Sequence, residues 1–202
     1  MSNVRNEKLF KLVATAVFAA IVILLQLTLG LITVSTINLN FVLIPIVLAG
    51  ILFGALSGTI AGTAFGITVF IQCMTGAQAF GYVLFAINPF YTFIACVGRG
   101  ALVGLLPALI YKGLSGCIKN KYISTLLTSL SAPVLNTGIF LLCYATLFNG
   151  HMHELMTGEG AGVMYVLFIL LAGVNFIFEF VTSGVIIPPV AVVLDKAKNA
   201  KG

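Results

Sequence analysis

All but one of the 10 basic residues of this chain are gathered into three clusters separated by long apolar runs. Arg5, Lys8 and Lys11 precede the first run, Lys112, Lys119 and Lys121 separate two others, and Lys196, Lys198 and Lys201 close the chain; Arg99 alone lies inside an apolar segment. Cytoplasmic loops and tails are rich in Lys and Arg, so the three clusters belong on one side of a membrane, and each pair must be separated by an even number of crossings. With 60% hydrophobic and only 7% charged residues, and a mean hydropathy of +1.18, the chain lies outside the range of soluble domains. One crossing of roughly 30 Å of hydrocarbon takes about 20 residues. The 202 residues therefore hold about six crossings and no separate soluble domain. A net charge of +5 would point to nucleic acid in a soluble protein; beside apolar runs it points to orientation in a bilayer.

The expected fold is an all-α membrane protein, one domain of six transmembrane helices with both termini in the cytoplasm. The helices fall at about residues 12–32, 41–53, 58–73, 88–111, 123–148 and 163–187. The first run is longer than the apolar core of a signal peptide and reads as a retained helix. Residues 33–40 alternate polar and apolar, as an extended extracellular connection does. The second helix is short for a full crossing. The uncharged turn at 54–57 is placed inside by parity alone. Residues 74–81, with Gly76 and Gly81, read as an outer loop, and 149–162, holding His151, His153, Glu154 and Glu159 without Lys or Arg, as another. Pro188 and Pro189 mark the end or a kink of the last helix. Glycines at 50, 54, 58, 62 and 66 permit close packing of the helix 2/3 hairpin.

Arg99 is the most informative residue. A guanidinium at mid-membrane depth is unfavourable against lipid and normally faces a cavity or a partner. Two readings stand side by side: a ligand's anionic group, or a structural ion pair with Glu179, the acidic residue inside the last span. Depth counting at about 1.5 Å per residue puts Arg99, Asn136 and Asn175 on one level, with Glu179 one turn nearer the cytoplasm. Asn88, Tyr91 or Thr92, Ala95 and Arg99 share a helical face by spacing. Gln72 and Asn40 lie at outer ends of their helices and complete a polar lining. Each of these amides equally suits a hydrogen bond between helices. Together they describe a pocket for a small polar, anionic molecule entering from outside.

Enzyme signatures such as HExxH, GxSxG or a Walker lysine loop are lacking, so the chain reads as a non-enzyme with no cofactor of its own. The four cysteines have no ligand or CxxC spacing and read as packing. His151 and His153 lack a third ligand, so no metal site is expected. Nor do two related halves with ionisable coupling groups mark an autonomous carrier. A partner is needed for work.

In these features the chain resembles the substrate-binding S component of an energy-coupling factor (ECF) vitamin transporter. The resemblance rests on size and topology, the AxxxA step Ala16/Ala20, the passage PIVLAGILFGALSGTIAG at 45–62, RGALVG at 99–104 and the pair Asn136-Thr137. It implies a membrane-embedded binding protein in a bacterial cell membrane, working with a transmembrane coupling subunit (T component) and two cytoplasmic ATPase subunits that hydrolyse the ATP. It further implies that Ala16 and Ala20 dock on the T component and that residues 33–40 act as a lid. FGITVFIQ at 65–72, INPF at 87–90, Arg99 and Asn136-Thr137 look most like the pantothenate-binding branch. Other vitamins, of the folate, hydroxymethylpyrimidine or pyridoxine type, and a non-binding assembly subunit are the alternatives.

Overall fold

The computed structural model of the chain describes residues 2–28, 33–34, 37–38, 41–148 and 161–199. Asn40 and the histidine-bearing stretch at 149–160 lie outside the described residues. The protein is an all-α membrane protein. Helix α1 spans Ser2–Thr28, α2 Leu43–Phe53, α3 Ala55–Thr75, α4 Ala79–Ile87 and α5 Pro89–Phe93. A π-helical turn, Ile94–Gly98, leads into α6, Arg99–Cys117; α7 is Lys121–Leu147 and α8 Ala161–Asn199. Between α1 and α2, β1 (Thr33–Val34) pairs antiparallel with β2 (Ile37–Asn38), matching Thr33 to Asn38 and Val34 to Ile37. The polar/apolar alternation there is expressed as this two-rung hairpin.

Among the described residues, five helical segments are long and apolar enough to cross a bilayer, and α2 is a shorter apolar helix. At 11 residues, α2 reaches only about 16 Å, roughly half the hydrocarbon thickness. It is hydrophobic all round, the pattern of a helix enclosed by others. Val47, Leu48 and Leu52 pack with Ala132 of α7 and with Ile187 and Ala191 of α8. Ile46 and Ala49 join Val22 of α1 and Ala61, Phe65 and Val69 of α3. So α2 is the axle of the bundle. By contrast, α1 exposes Leu12, Val17 and Leu24 along its outer side, as lipid allows.

The glycine row is used differently from the expectation. Gly50 and Gly58 do meet across the α2/α3 hairpin, but the main partner of the row is α6. A Cβ on Gly58 would strike the Gly104 carbonyl oxygen, one on Gly62 that of Gly100, and one on Gly50 would come within 2.9 Å of Ala108 Cβ. The relation is reciprocal, since Gly100 and Gly104 face the Gly62 and Gly58 oxygens. Two four-residue rows of small side chains thus run antiparallel with backbones in contact.

That antiparallel order decides the turn at Gly54, where α2 and α3 meet with φ +91°, a region open to glycine. The Thr15 hydroxyl of α1 bonds the Ser57 hydroxyl at 2.8 Å, and Lys11 Nζ is the nearest side-chain atom to Gly54. At the same end of the bundle, α6 runs out towards Lys112, and Lys121 pairs with Asp195 at 2.8 Å. The uncharged turn therefore lies among the basic clusters.

Two expectations are corrected. Residues 74–81 are not one loop: α3 continues to Thr75, Gly76 caps it at φ +76°, and a separate helix, α4, begins at Ala79. Its Phe80 packs on Phe140 and Tyr144 of α7, burial that overrides the local loop signal. Nor do Pro188 and Pro189 end the last helix, which continues to Asn199. Each proline removes one N–H bond to the preceding turn, but buried Ile187 and Ala191 on either side anchor the segment to α2 and α7.

Candidate functional site

The π turn sets the geometry of the site. A π-helical turn takes in more residues than an α turn, so the residues before it do not continue the helical face that spacing alone assigns to Arg99. Thr92 and Ala95 are buried. Asn88 is the N-cap of α5: its Oδ1 accepts from the backbone N–H of Phe90 at 3.0 Å and Tyr91 at 3.1 Å, with Pro89 at the first helical position. Asn followed by Pro is a helix-start signal. Asn88→Ala should cost about 1 kcal/mol of stability, read as a lower Tm in detergent, whereas Asn88→Asp should hold it; an unchanged Tm for the alanine variant would refute the capping role.

Beyond the turn, Arg99 lies between two aromatic rings. Its guanidinium carbon is 5.7 Å from the Phe65 ring centroid and 5.1 Å from that of Phe140. Stacking of this kind holds the cation through the ring faces and leaves in-plane N–H groups for an acceptor. Arg99 is thus stacked between α3 and α7. Glu179, 3% exposed, takes a hydrogen bond of 3.1 Å from Asn136 Nδ2.

One α-helical turn separates Asn136 from Phe140 on α7, and Asn175 from Glu179 on α8, so each pair shares a face. The Arg99–Phe140 stack and the Asn136–Glu179 bond thus link α6, α7 and α8 in one polar layer, with Asn175 one turn from Glu179 on α8. Among the described residues, the buried side-chain atoms with no hydrogen-bond partner are Arg99 Nε, Asn136 Oδ1, Asn175 Oδ1 and Gln26 Oε1. Three of the four belong to the residues that depth counting put on one level. An unpaired buried polar atom is destabilising by about 1–3 kcal/mol, so three of them in Arg99, Asn136 and Asn175 call for an explanation. The layer offers one cationic donor and two amide acceptors.

The other residues are placed differently. Gln72 is joined to α1: Gln26 Nε2 donates to Gln72 Oε1 at 2.8 Å, and Gln72 Nε2 to the Gln26 carbonyl at 3.2 Å. Tyr91 packs against the Phe148 ring, centroids 6.1 Å apart, at the C-terminal end of α7. Ala16 and Ala20 are both exposed on α1. Sequence reasoning passed over Gln26 and Phe140, and took Phe65 only as the first residue of the motif at 65–72. Phe140 was within reach, one turn from Asn136; Gln26 carries no local signal, because only the packing of α1 on α3 brings it to Gln72. No cluster of three or more His, Cys, Asp or Glu suited to a metal occurs among the described residues.

Comparison with known proteins gives a family match and no curated relative. The family model described as "ECF transporter, substrate-specific component" matches residues 10–192, most of the chain. No curated protein matches.

Proposed function

From the premise that this chain belongs to the family of ECF transporter substrate-specific components, we propose that it is the pantothenate-binding subunit of such a transporter. The observation that carries the reading is the layer of unpaired buried atoms: Arg99 Nε, Asn136 Oδ1 and Asn175 Oδ1. A ligand that satisfies it brings one anionic group and at least two hydrogen-bond donors. Pantothenate has a carboxylate for Arg99, and an amide N–H and two hydroxyls for the asparagine oxygens. Phe65 and Phe140 hold the cation in place before the ligand arrives. Tyr91 borders the entrance, Gln72 and Asn88 brace the surrounding helices, and residues 33–40, including Asn40, close over the site as a lid.

In this reading α2 is the sixth crossing, completed by the residues around it, and the end bearing Lys11, the Gly54 turn and the Lys121–Asp195 pair faces the cytoplasm. The site then opens outward. The chain supplies recognition, while a T component and two ATPase subunits supply the work.

Calorimetric titration of the purified protein with a panel of vitamins tests the substrate. Saturable binding of pantothenate supports it; tight binding of a neutral vitamin with none of pantothenate would sink it. A purely structural subunit would bind no member of the panel.

The exposed Ala16 and Ala20 present a smooth strip on which another membrane helix can lie closely. Ala16→Leu and Ala20→Leu should abolish co-purification with the T component while leaving vitamin binding intact. Normal co-purification of both variants would dismiss the strip as the docking face.

A further inference from the structure

Cys73, near the end of α3, and Cys96, in the π turn, place their Sγ atoms 4.0 Å apart. Both thiols are free and buried, on elements far apart in sequence. A disulfide needs about 2.05 Å between sulfurs, so closure calls for a modest approach of one element to the other. The α3 side is pinned. A Cβ on Gly81 of α4 would overlap Cys73 Sγ, while the Cys96 carbonyl oxygen already lies against Gly66 of α3, so the π turn approaches Cys73 by sliding along α3 rather than by closing on it. The π turn is the adaptable partner, since such turns are local insertions in an α-helix that can be re-formed without unfolding it. Arg99 follows Cys96 by three residues and is stacked on the rings of Phe65 and Phe140.

We infer that Cys73 and Cys96 are an oxidation site, a dithiol that closes to a disulfide within the folded bundle and, by shifting the π turn along α3, displaces Arg99 from its two rings. The two thiols lose two protons and two electrons as the S–S bond forms, and a thiol oxidant accepts them. With the diazene diamide, the N=N bond is reduced to a hydrazine. The disulfide stands on the geometry of the thiols alone; its effect on ligand binding rests on the reading of Arg99 as the partner of pantothenate.

The experiment treats the purified wild-type protein in detergent with diamide, denatures it, and counts N-ethylmaleimide adducts by intact mass. With 4 cysteines in the chain, adducts should fall from four to two, return to four after dithiothreitol, and peptide mapping should join Cys73 to Cys96. In Cys73→Ser, three adducts should remain before and after diamide. Four adducts after oxidation of the wild type, or a bond through Cys117 or Cys143, would overturn the site. Hydrogen exchange across residues 94–99 reads the movement without any ligand, and identical exchange in the two redox forms would overturn the displacement of Arg99. Pantothenate affinity of the oxidised form should fall about tenfold, the scale of one lost charge-assisted hydrogen bond. Failure of the reduced protein to bind pantothenate would count against the substrate alone, since adducts and exchange are read without it.

Discussion

Arg99→Ala is expected to weaken pantothenate binding about a hundredfold while leaving the bundle folded. Loss of a buried, charge-assisted contact accounts for that magnitude: hydrogen bonds to a charged group contribute about 1.5–3 kcal/mol, and 1.4 kcal/mol is a factor of ten in affinity. The effect on stability should be small, because two changes oppose each other. The variant loses the contacts with Phe65 and Phe140, worth about 0.5–2 kcal/mol as cation–π interactions. It also removes an unpaired buried donor, Arg99 Nε, whose burial is unfavourable by a similar amount. Arg99→Lys should recover little, since a point charge cannot both stack on two rings and present a planar fork to a carboxylate. The measurements are calorimetric affinity and the thermal melt of the same samples. A variant that fails to fold, or that binds as well as wild type, would return Arg99 to a structural role.

Gly62→Leu should have the largest effect on the fold. Its Cβ would collide with the backbone oxygen of Gly100, and a backbone atom between two packed helices has no rotamer into which to retreat. Relief requires α3 and α6 to separate, which also parts Gly58 from Gly104 and Gly66 from the Cys96 segment. Overpacking in a well-filled core is destabilising by about 1–3 kcal/mol for extra methylenes that side chains can partly accommodate; against backbone it should exceed that range. Loss of the monodisperse peak in detergent is expected for Gly62→Leu, and a clearly lowered Tm for Gly62→Ala. Gly138→Ala is the control: nothing lies within 4 Å of its added Cβ, and replacing a mid-helix glycine should be neutral or stabilising by about 0.5–1 kcal/mol. If Gly62→Leu melts like wild type, the two backbones are not in contact.

The candidate site was partly legible because depth is a one-dimensional quantity. Counting residues from the helix ends placed Arg99, Asn136 and Asn175 on one level, and their unpaired atoms are the ones the packed layer leaves buried. Azimuth was not legible. A helical face inferred from spacing assumes α geometry throughout, and the π turn Ile94–Gly98 breaks that assumption just before Arg99. The amides were equally ambiguous, since one side chain serves as a cap, an interhelical tie or a ligand contact. Asn88 acts as a cap because Pro89 follows it, and Gln72 as a tie because Gln26 of α1 faces it.

By itself, the sequence determined the class of protein, because hydropathy and the grouping of basic residues are summed over long segments and do not depend on which helix touches which. It also determined that small residues recur every four positions, but not their partner. Only the tertiary structure decided that the row on α3 meets α6, because close approach requires a matching row, Gly100 and Gly104, at the right height on a particular neighbour. The same contact decided the turn at Gly54. With no charge of its own, the turn had no signal for the positive-inside rule to read. Its position follows from the Thr15–Ser57 bond and from Lys11 beside it, since a neighbouring helix can supply to a turn the charge that its own residues lack.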